Sequence, residues 1–242
     1  MKRLLIYFQI VSPKYLLLAV FWLAISVSFA QKKKRKDFVV TLSTDFGAIK
    51  MVLFDQTPKH KENFLKLVNE GFYNGTLFHR TIEKFMIQGG DPASKTAQSG
   101  IKLGDGDVGY KIPAEFVPEL IHKKGVLAAA RDGNPQKASS GCQFYIVQGQ
   151  VWDDAGYTKQ AARSGKSYTD QQRKTYQTIG GTPHLDGNYT VFGEVIAGLN
   201  VVDSIAKQAR DANNRPLKDL KITMIAEKMR KRKIKRLFGY EF

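Results

Sequence analysis

The chain has 242 residues, of which 43% are hydrophobic and 25% charged, enough apolar material for one substantial core. Its formal charge of +16 is unevenly placed: residues 1–36 carry eight basic and no acidic side chains, residues 227–242 carry seven basic against two acidic, and only +3 remains for residues 37–226. A nucleic-acid domain spreads its cations over a folded face with aromatics between them, so specific nucleic-acid binding is not expected.

Lys2 and Arg3 precede an apolar stretch that breaks at Ser12, Pro13 and Lys14 and resumes over residues 15–29. The second run is shorter than the roughly 20 residues of a spanning helix. It closes on Ser28, Phe29 and Ala30, small residues framing a cleavage site. Residues 1–30 therefore read as a signal peptide, and the mature chain as exported, into a bacterial periplasm. Residues 32–36 are all Lys or Arg, which resists translocation, so a membrane-anchored chain is the alternative. Residues 31–37 read as a basic linker and residues 227–242 as a basic, solvated C-terminal tail. The tail and the N-terminus are both routes to membrane association.

Between them, residues 38–226 read as one domain. Period-two alternation over residues 38–55, with Asp45, Phe46 and Gly47 as the turn, predicts a hairpin. Thr57 and Pro58 then open a helix as N-cap and first helical residue, Phe64, Leu65 and Val68 share a face, and Gly71 ends it. Short strand-like runs follow at residues 76–82, 85–88, 125–130, 143–148 and 189–195. A second helix is predicted over residues 199–208 and a last strand over 220–225. Many short strands with two sizeable helices favour a barrel or sandwich. Residues 151–182 break this rhythm as a polar insertion, with Thr169 and Gln172 spaced as a capping box for a helix over residues 170–178. Cys142 is the only cysteine, so no intramolecular disulfide can form; in its apolar run it reads as packing.

Three blocks carry the chemistry: FHRTIEKFMIQGGDP at residues 78–92, GCQFYIV at 141–147 and HLDGNYTVFG at 184–193. Together, in this order, they resemble the signature blocks of the cyclophilins, and GVLAAAR at residues 125–131 is similar to the strand that completes that family's binding groove. The resemblance implies an eight-stranded closed antiparallel β-barrel capped by two α-helices, here with a partly helical insertion. It implies a monomeric peptidyl-prolyl cis-trans isomerase that acts on proline-containing polypeptides and uses neither cofactor nor metal. By matching positions, Arg80 is the catalytic arginine and Gln88 acts beside it. Phe85, Met86, Tyr145 and Leu185 form the proline pocket, Gln143 joins Gln88 in holding the peptide backbone, and Ala130 and Arg131 form the rim. His184 stands where many eukaryotic members have tryptophan, and Tyr189 where they have histidine. Both substitutions resemble bacterial exported cyclophilins. The missing indole argues against strong cyclosporin binding.

Independently of the family, such residues suit rotation about an amide bond. That rotation faces a barrier of about 18–20 kcal/mol because the nitrogen lone pair is delocalised. No nucleophile is needed, only tighter binding of the twisted state, in which nitrogen regains its lone pair. A permanently charged guanidinium can donate to that nitrogen, and apolar walls can hold the ring.

Other matches are weak. The glycines at 104, 106 and 109 fit a dinucleotide pattern but open no helix, and the four histidines show no metal-ligand spacing. The alternative function is a non-catalytic module that binds proline-containing segments as a chaperone or scaffold.

Overall fold

The computed structural model describes residues 35–242. The signal peptide read over residues 1–30, and the linker as far as residue 34, fall outside the described residues. The described chain runs β1 (Lys36–Thr44), β2 (Gly47–Leu53), α1 (Pro58–Asn69), β3 (Phe78–Ile82), β4 (Met86–Gly89), β5 (Lys111–Ile112), β6 (Val126–Ala129), β7 (Ser139–Ser140) and β8 (Phe144–Val147). It continues through α2 (Asp154–Ser164), α3 (Asp170–Thr178), β9 (Val191–Ala197), α4 (Leu199–Ala206), β10 (Thr223–Arg230) and α5 (Lys231–Phe238).

Eight strands form one antiparallel sheet in the order β10-β1-β2-β9-β6-β8-β4-β3. The sheet curls until its edges meet, but β3 and β10 share no ladder. They are joined through flanking residues, with Phe78 N donating to Leu220 O at 3.0 Å, Ile222 N donating to Thr76 O at 2.8 Å and a bridge at Leu77 and Lys221.

Strand alternation sorts side chains to two faces. Leu42, Met51, Ile87, Leu127, Phe144 and Ile146 point into the main core, which is sealed by Phe64 and Leu67 of α1 and by Val202 and Ile205 of α4. Their neighbours Met86, Ala128, Tyr145 and Val147 project to the other face and form a second apolar cluster. A groove on the outside of the sheet is thus built from the residues that alternate with the core. α1 and α4 are the two helices expected to cap the sheet, and α3 is the helix expected in the insertion. Among the described residues α2 and α5 are additional to those three.

Local details depart from the sequence reading where distant residues intervene. Thr57 makes no side-chain cap to α1. Instead the Glu115 carboxylate accepts from the Lys59 and His60 backbone N–H groups at 3.1 and 3.0 Å, and bonds the His60 ring at 2.7 Å. The Thr169 and Gln172 capping box of α3 forms as its spacing predicts. α2 carries its own signals, an Asp153 cap bonded to Gly156 N and a left-handed Gly165 at its end. The basic C-terminal residues are not a solvated tail. β10 runs on to Arg230, and α5 buries Ile234 against Val39 and Val52 while Arg232, Lys233, Lys235 and Arg236 stay exposed.

Candidate active site

The β3–β4 hairpin places Arg80 directly opposite Gln88, and β8 lies on the other side of β4 with Tyr145 opposite Gln88. One short ladder therefore sets a cation, an amide and an aromatic ring side by side. Arg80 Nη1 donates to Gln88 Oε1 at 3.2 Å and lies 4.0 Å from Met86 Sδ, and the guanidinium carbon sits 5.8 Å from the Phe85 ring centre. Burial lowers the Arg80 pKa, yet an arginine remains charged at any ordinary pH. Its Nη2 and Nε have no hydrogen-bond partner among the described residues, so two guanidinium positions remain for a ligand.

The glutamines form an ordered chain behind Arg80. Gln88 Nε2 donates to Gln143 Oε1 at 3.1 Å, and Gln143 Nε2 donates to the carbonyls of Gly104 and Gly106, each at 2.8 Å. Because both donors of Gln143 are committed to carbonyls, its oxygen must face Gln88. The Gln88 oxygen in turn must face Arg80.

Arg80, Phe85, Met86, Gln88, Ala130, Arg131, Tyr145, Leu185 and Tyr189 line one slot of about 100 Å³. Of the eleven residues singled out in the sequence, nine line the slot. Gln143 stands one hydrogen bond behind it, and His184 stacks on Phe85 at 5.6 Å. Burial lowers the His184 pKa to about 4, so its ring is neutral at pH 7. Arg131 lies 4.8 Å over the Tyr189 ring and donates from Nε to Asn188 O at 2.8 Å, which holds that ring at the slot wall. A second hollow of about 380 Å³ continues from the slot through Gln88, Ala130 and Arg131 to Asp105, Asp107 and Lys111. A wider hollow, about 570 Å³, shares no residue with the slot; it is lined by Asp37, Glu119 and Lys231 among others and contains none of the eleven residues singled out in the sequence.

Sequence reading missed the support beneath Tyr145. Its hydroxyl reaches His122 Nε2 at 2.9 Å, and His122 Nδ1 reaches Asp186 Oδ1 at 2.6 Å. Neither His122 nor Asp186 stands among the residues singled out in the sequence. The available signal was the tyrosine itself, whose hydroxyl at a buried position needs a partner. Among the described residues no cluster of His, Cys, Asp or Glu could hold a metal ion.

This architecture agrees with comparisons to known proteins. The family model for the cyclophilin-type peptidyl-prolyl cis-trans isomerases matches residues 39–227. A peptidyl-prolyl cis-trans isomerase of Arabidopsis thaliana is 36% identical over 188 residues, covering 77% of this chain and 93% of its own. Peptidyl-prolyl cis-trans isomerase-like 3 of Gallus gallus is 37% identical over 186 residues, covering 76% of this chain and 91% of its own. A Streptococcus pyogenes protein whose name pairs a phosphatase with such an isomerase is 37% identical over 190 residues, 77% of this chain but only 38% of that longer protein. A crystal structure of a Cryptosporidium parvum cyclophilin, determined in the presence of the dipeptide Ala-Pro, superposes with a TM-score of 0.56 at 26% identity and covers 78% of this chain and 98% of its own. The chain belongs to the cyclophilin-type peptidyl-prolyl cis-trans isomerases.

Proposed function

We propose that this chain accelerates rotation about X-Pro bonds in exported polypeptides, with Arg80 as the group that stabilises the twisted amide. The uncatalysed exchange takes tens to hundreds of seconds, which is slow enough to limit folding. Phe85, Met86, Tyr145 and Leu185 hold the prolyl ring in the slot. Gln88 and Gln143 fix the backbone of one flank so that the other side of the bond can turn. Arg80, with Nη1 committed to Gln88, offers its remaining N–H groups to the prolyl nitrogen as that atom regains its lone pair. The donor is charged and half-buried, and it needs no reorientation at the moment of rotation. Apolar walls also favour a carbonyl that loses polarity on twisting.

The observation that carries this reading is Arg80 beside Phe85 and Met86 at one end of a slot the size of a small ring. It is tested by following isomerisation of a short X-Pro peptide. Arg80→Ala lowers kcat/KM by at least about tenfold, consistent with loss of one charge-assisted hydrogen bond, while the unfolding midpoint is retained. An unchanged rate overturns the mechanism. If NMR of the wild-type complex shows binding of a proline peptide without exchange cross-peaks between cis and trans signals, the chain is a binding module instead.

Export, or anchoring at a membrane, rests on the sequence of residues 1–36. N-terminal sequencing of the mature protein tests it. A chain beginning near Gln31 supports export with cleavage, and an intact Met1 in the membrane fraction supports the anchor.

A further inference from the structure

The insertion over residues 151–182 has no place in the isomerisation chemistry, yet one of its buried hydroxyl groups points toward that chemistry. Tyr157 of α2, Tyr176 of α3 and Tyr168 between them form a small aromatic core together with Ile121. Tyr176 is fully buried, but its hydroxyl leaves this core and donates to Asp186 Oδ2 at 2.5 Å. The other carboxylate oxygen, Oδ1, accepts from the His122 backbone N–H at 2.8 Å and from His122 Nδ1 at 2.6 Å. His122 Nε2 then meets the Tyr145 hydroxyl at 2.9 Å, and the Tyr145 ring is a wall of the proline slot. Asp186 and His122 are both almost completely shielded from solvent.

Proton positions along this chain follow from the acceptors. Burial alone would raise the Asp186 pKa, but the bonds from His122 and Tyr176 outweigh it and hold the carboxyl below its ordinary value. An ionised Asp186 accepts only, so His122 Nδ1 carries a proton. The chain of contacts is continuous from the Tyr176 hydroxyl through both Asp186 oxygens and the His122 ring to the Tyr145 hydroxyl. The insertion is also locked to the same segment by main-chain contacts. Thr182 N donates to His122 O at 2.8 Å and Lys124 N donates to Gly180 O at 3.0 Å, while within the insertion Trp152 Nε1 donates to Gly181 O at 2.9 Å. A Cβ on Gly181 would lie 2.2 Å from His122 O and 2.8 Å from Tyr176 Cε1, so the close approach of insertion and barrel here requires glycine. Leu185 and Tyr189, two more slot residues, flank Asp186 in the chain.

We propose that the insertion is a brace for the proline slot, and that Tyr176 is a positioning residue which acts through Asp186 and His122 on the orientation of Tyr145. This rests on the isomerase reading, since it is that slot's geometry which the brace serves. The Tyr176 hydroxyl completes the acceptor set of Asp186. Without it, the carboxylate can turn and release His122, and Tyr145 loses its fixed partner.

The test uses the full chain with Tyr176→Phe, Tyr145→Phe and the double variant. Tyr176→Phe keeps its ring in the aromatic core and removes one hydrogen bond. It lowers kcat/KM for an X-Pro peptide by at least about fivefold, the lower end of coupling between linked sites, and shifts the His122 ring nitrogen resonances. The double variant is no slower than Tyr145→Phe alone, because both changes cut the same chain. A Tyr176→Phe enzyme with wild-type kcat/KM and unmoved His122 resonances overturns the proposal, as does a double variant whose loss is the product of the single losses. A merely structural role for Tyr176 would lower the melting temperature and give that product.

Should Tyr176→Phe fail to fold, the coupling is read from the other end. Titrating a proline peptide into the wild-type chain shifts the Trp152 indole N–H resonance, and Tyr145→Phe abolishes that shift. An indole signal that ignores saturating peptide in the wild type overturns the brace. If the wild-type chain binds the peptide without isomerising it, the catalytic reading fails, while the indole shift still decides the brace.

Discussion

Gln88 and Gln143, 55 residues apart in the chain, meet side chain to side chain at 3.1 Å and so connect Arg80 to the carbonyls of Gly104 and Gly106. An amide free to flip would present Arg80 with either an oxygen or an NH₂ group. Here the flip is forbidden from behind, because Gln143 has spent both donors before it reaches Gln88. Gln143→Ala is therefore expected to lower kcat/KM about tenfold, through loss of one hydrogen bond to a charged network and freedom of the Gln88 amide. Steady-state kinetics on an X-Pro peptide check this. A rate within twofold of wild type shows that Gln88 holds its orientation unaided.

Capping of α1 by Glu115 predicts a stability effect far from the slot. Glu115→Ala removes the acceptor for two N-terminal N–H groups and strips the buried His60 of a ring partner. The expected loss is about 1–2 kcal/mol, in the range of other N-cap deletions, read as a lower midpoint in denaturant unfolding. Glu115→Gln, which keeps an accepting oxygen, recovers part of it.

Acid destabilisation should have a histidine component. His79 is buried with neither ring nitrogen hydrogen-bonded, and burial lowers its pKa to about 4 from an ordinary value of 6.5. Between those two values the unfolded chain holds a proton at this residue and the folded chain does not. Stability is thus fully present above pH 6.5 and is lost as the pH falls toward 4, by on the order of 3 kcal/mol for this residue. Denaturant midpoints measured across this range should fall with acid, and His79→Leu should flatten the slope. An unaltered slope in the variant shows that other groups dominate.

Folding of the C-terminal residues onto the sheet makes Ile234 a core residue. Ile234→Ala leaves a cavity against Val39 and Val52 and is expected to cost about 2–4 kcal/mol. A substitution in a solvated tail would cost nothing measurable, so one thermal melt separates the two situations.

How much of this was legible beforehand depended on the range of the interactions. Alternation in residues 38–55 and the Thr169–Gln172 spacing are local signals, and both elements form as read. The slot residues could be named because three blocks of sequence carry them together. The cap on α1 could not, since Glu115 lies 55 residues from His60 and Thr57 was the better local candidate. The basic C-terminus was misread because its charge overshadowed Ile234, a lone apolar residue in a run of cations. Lone positions have no periodicity to betray them. The tie from Tyr176 to Tyr145 was invisible for a related reason: it passes through four separate stretches of chain, none of which has an unusual composition.

The pairing of β1 with β10 sets Lys36 opposite Arg230, about 190 residues later in the chain. During synthesis from the N-terminus, β1 emerges with one flank unsatisfied and must wait for β10. Its own hairpin partner β2 can form early, but the strand that covers the remaining edge arrives only when almost everything else has been delivered. A nascent chain arrested before residue 223 would therefore carry an open strand edge. Ribosome-bound intermediates of this isomerase would themselves be clients for a holdase.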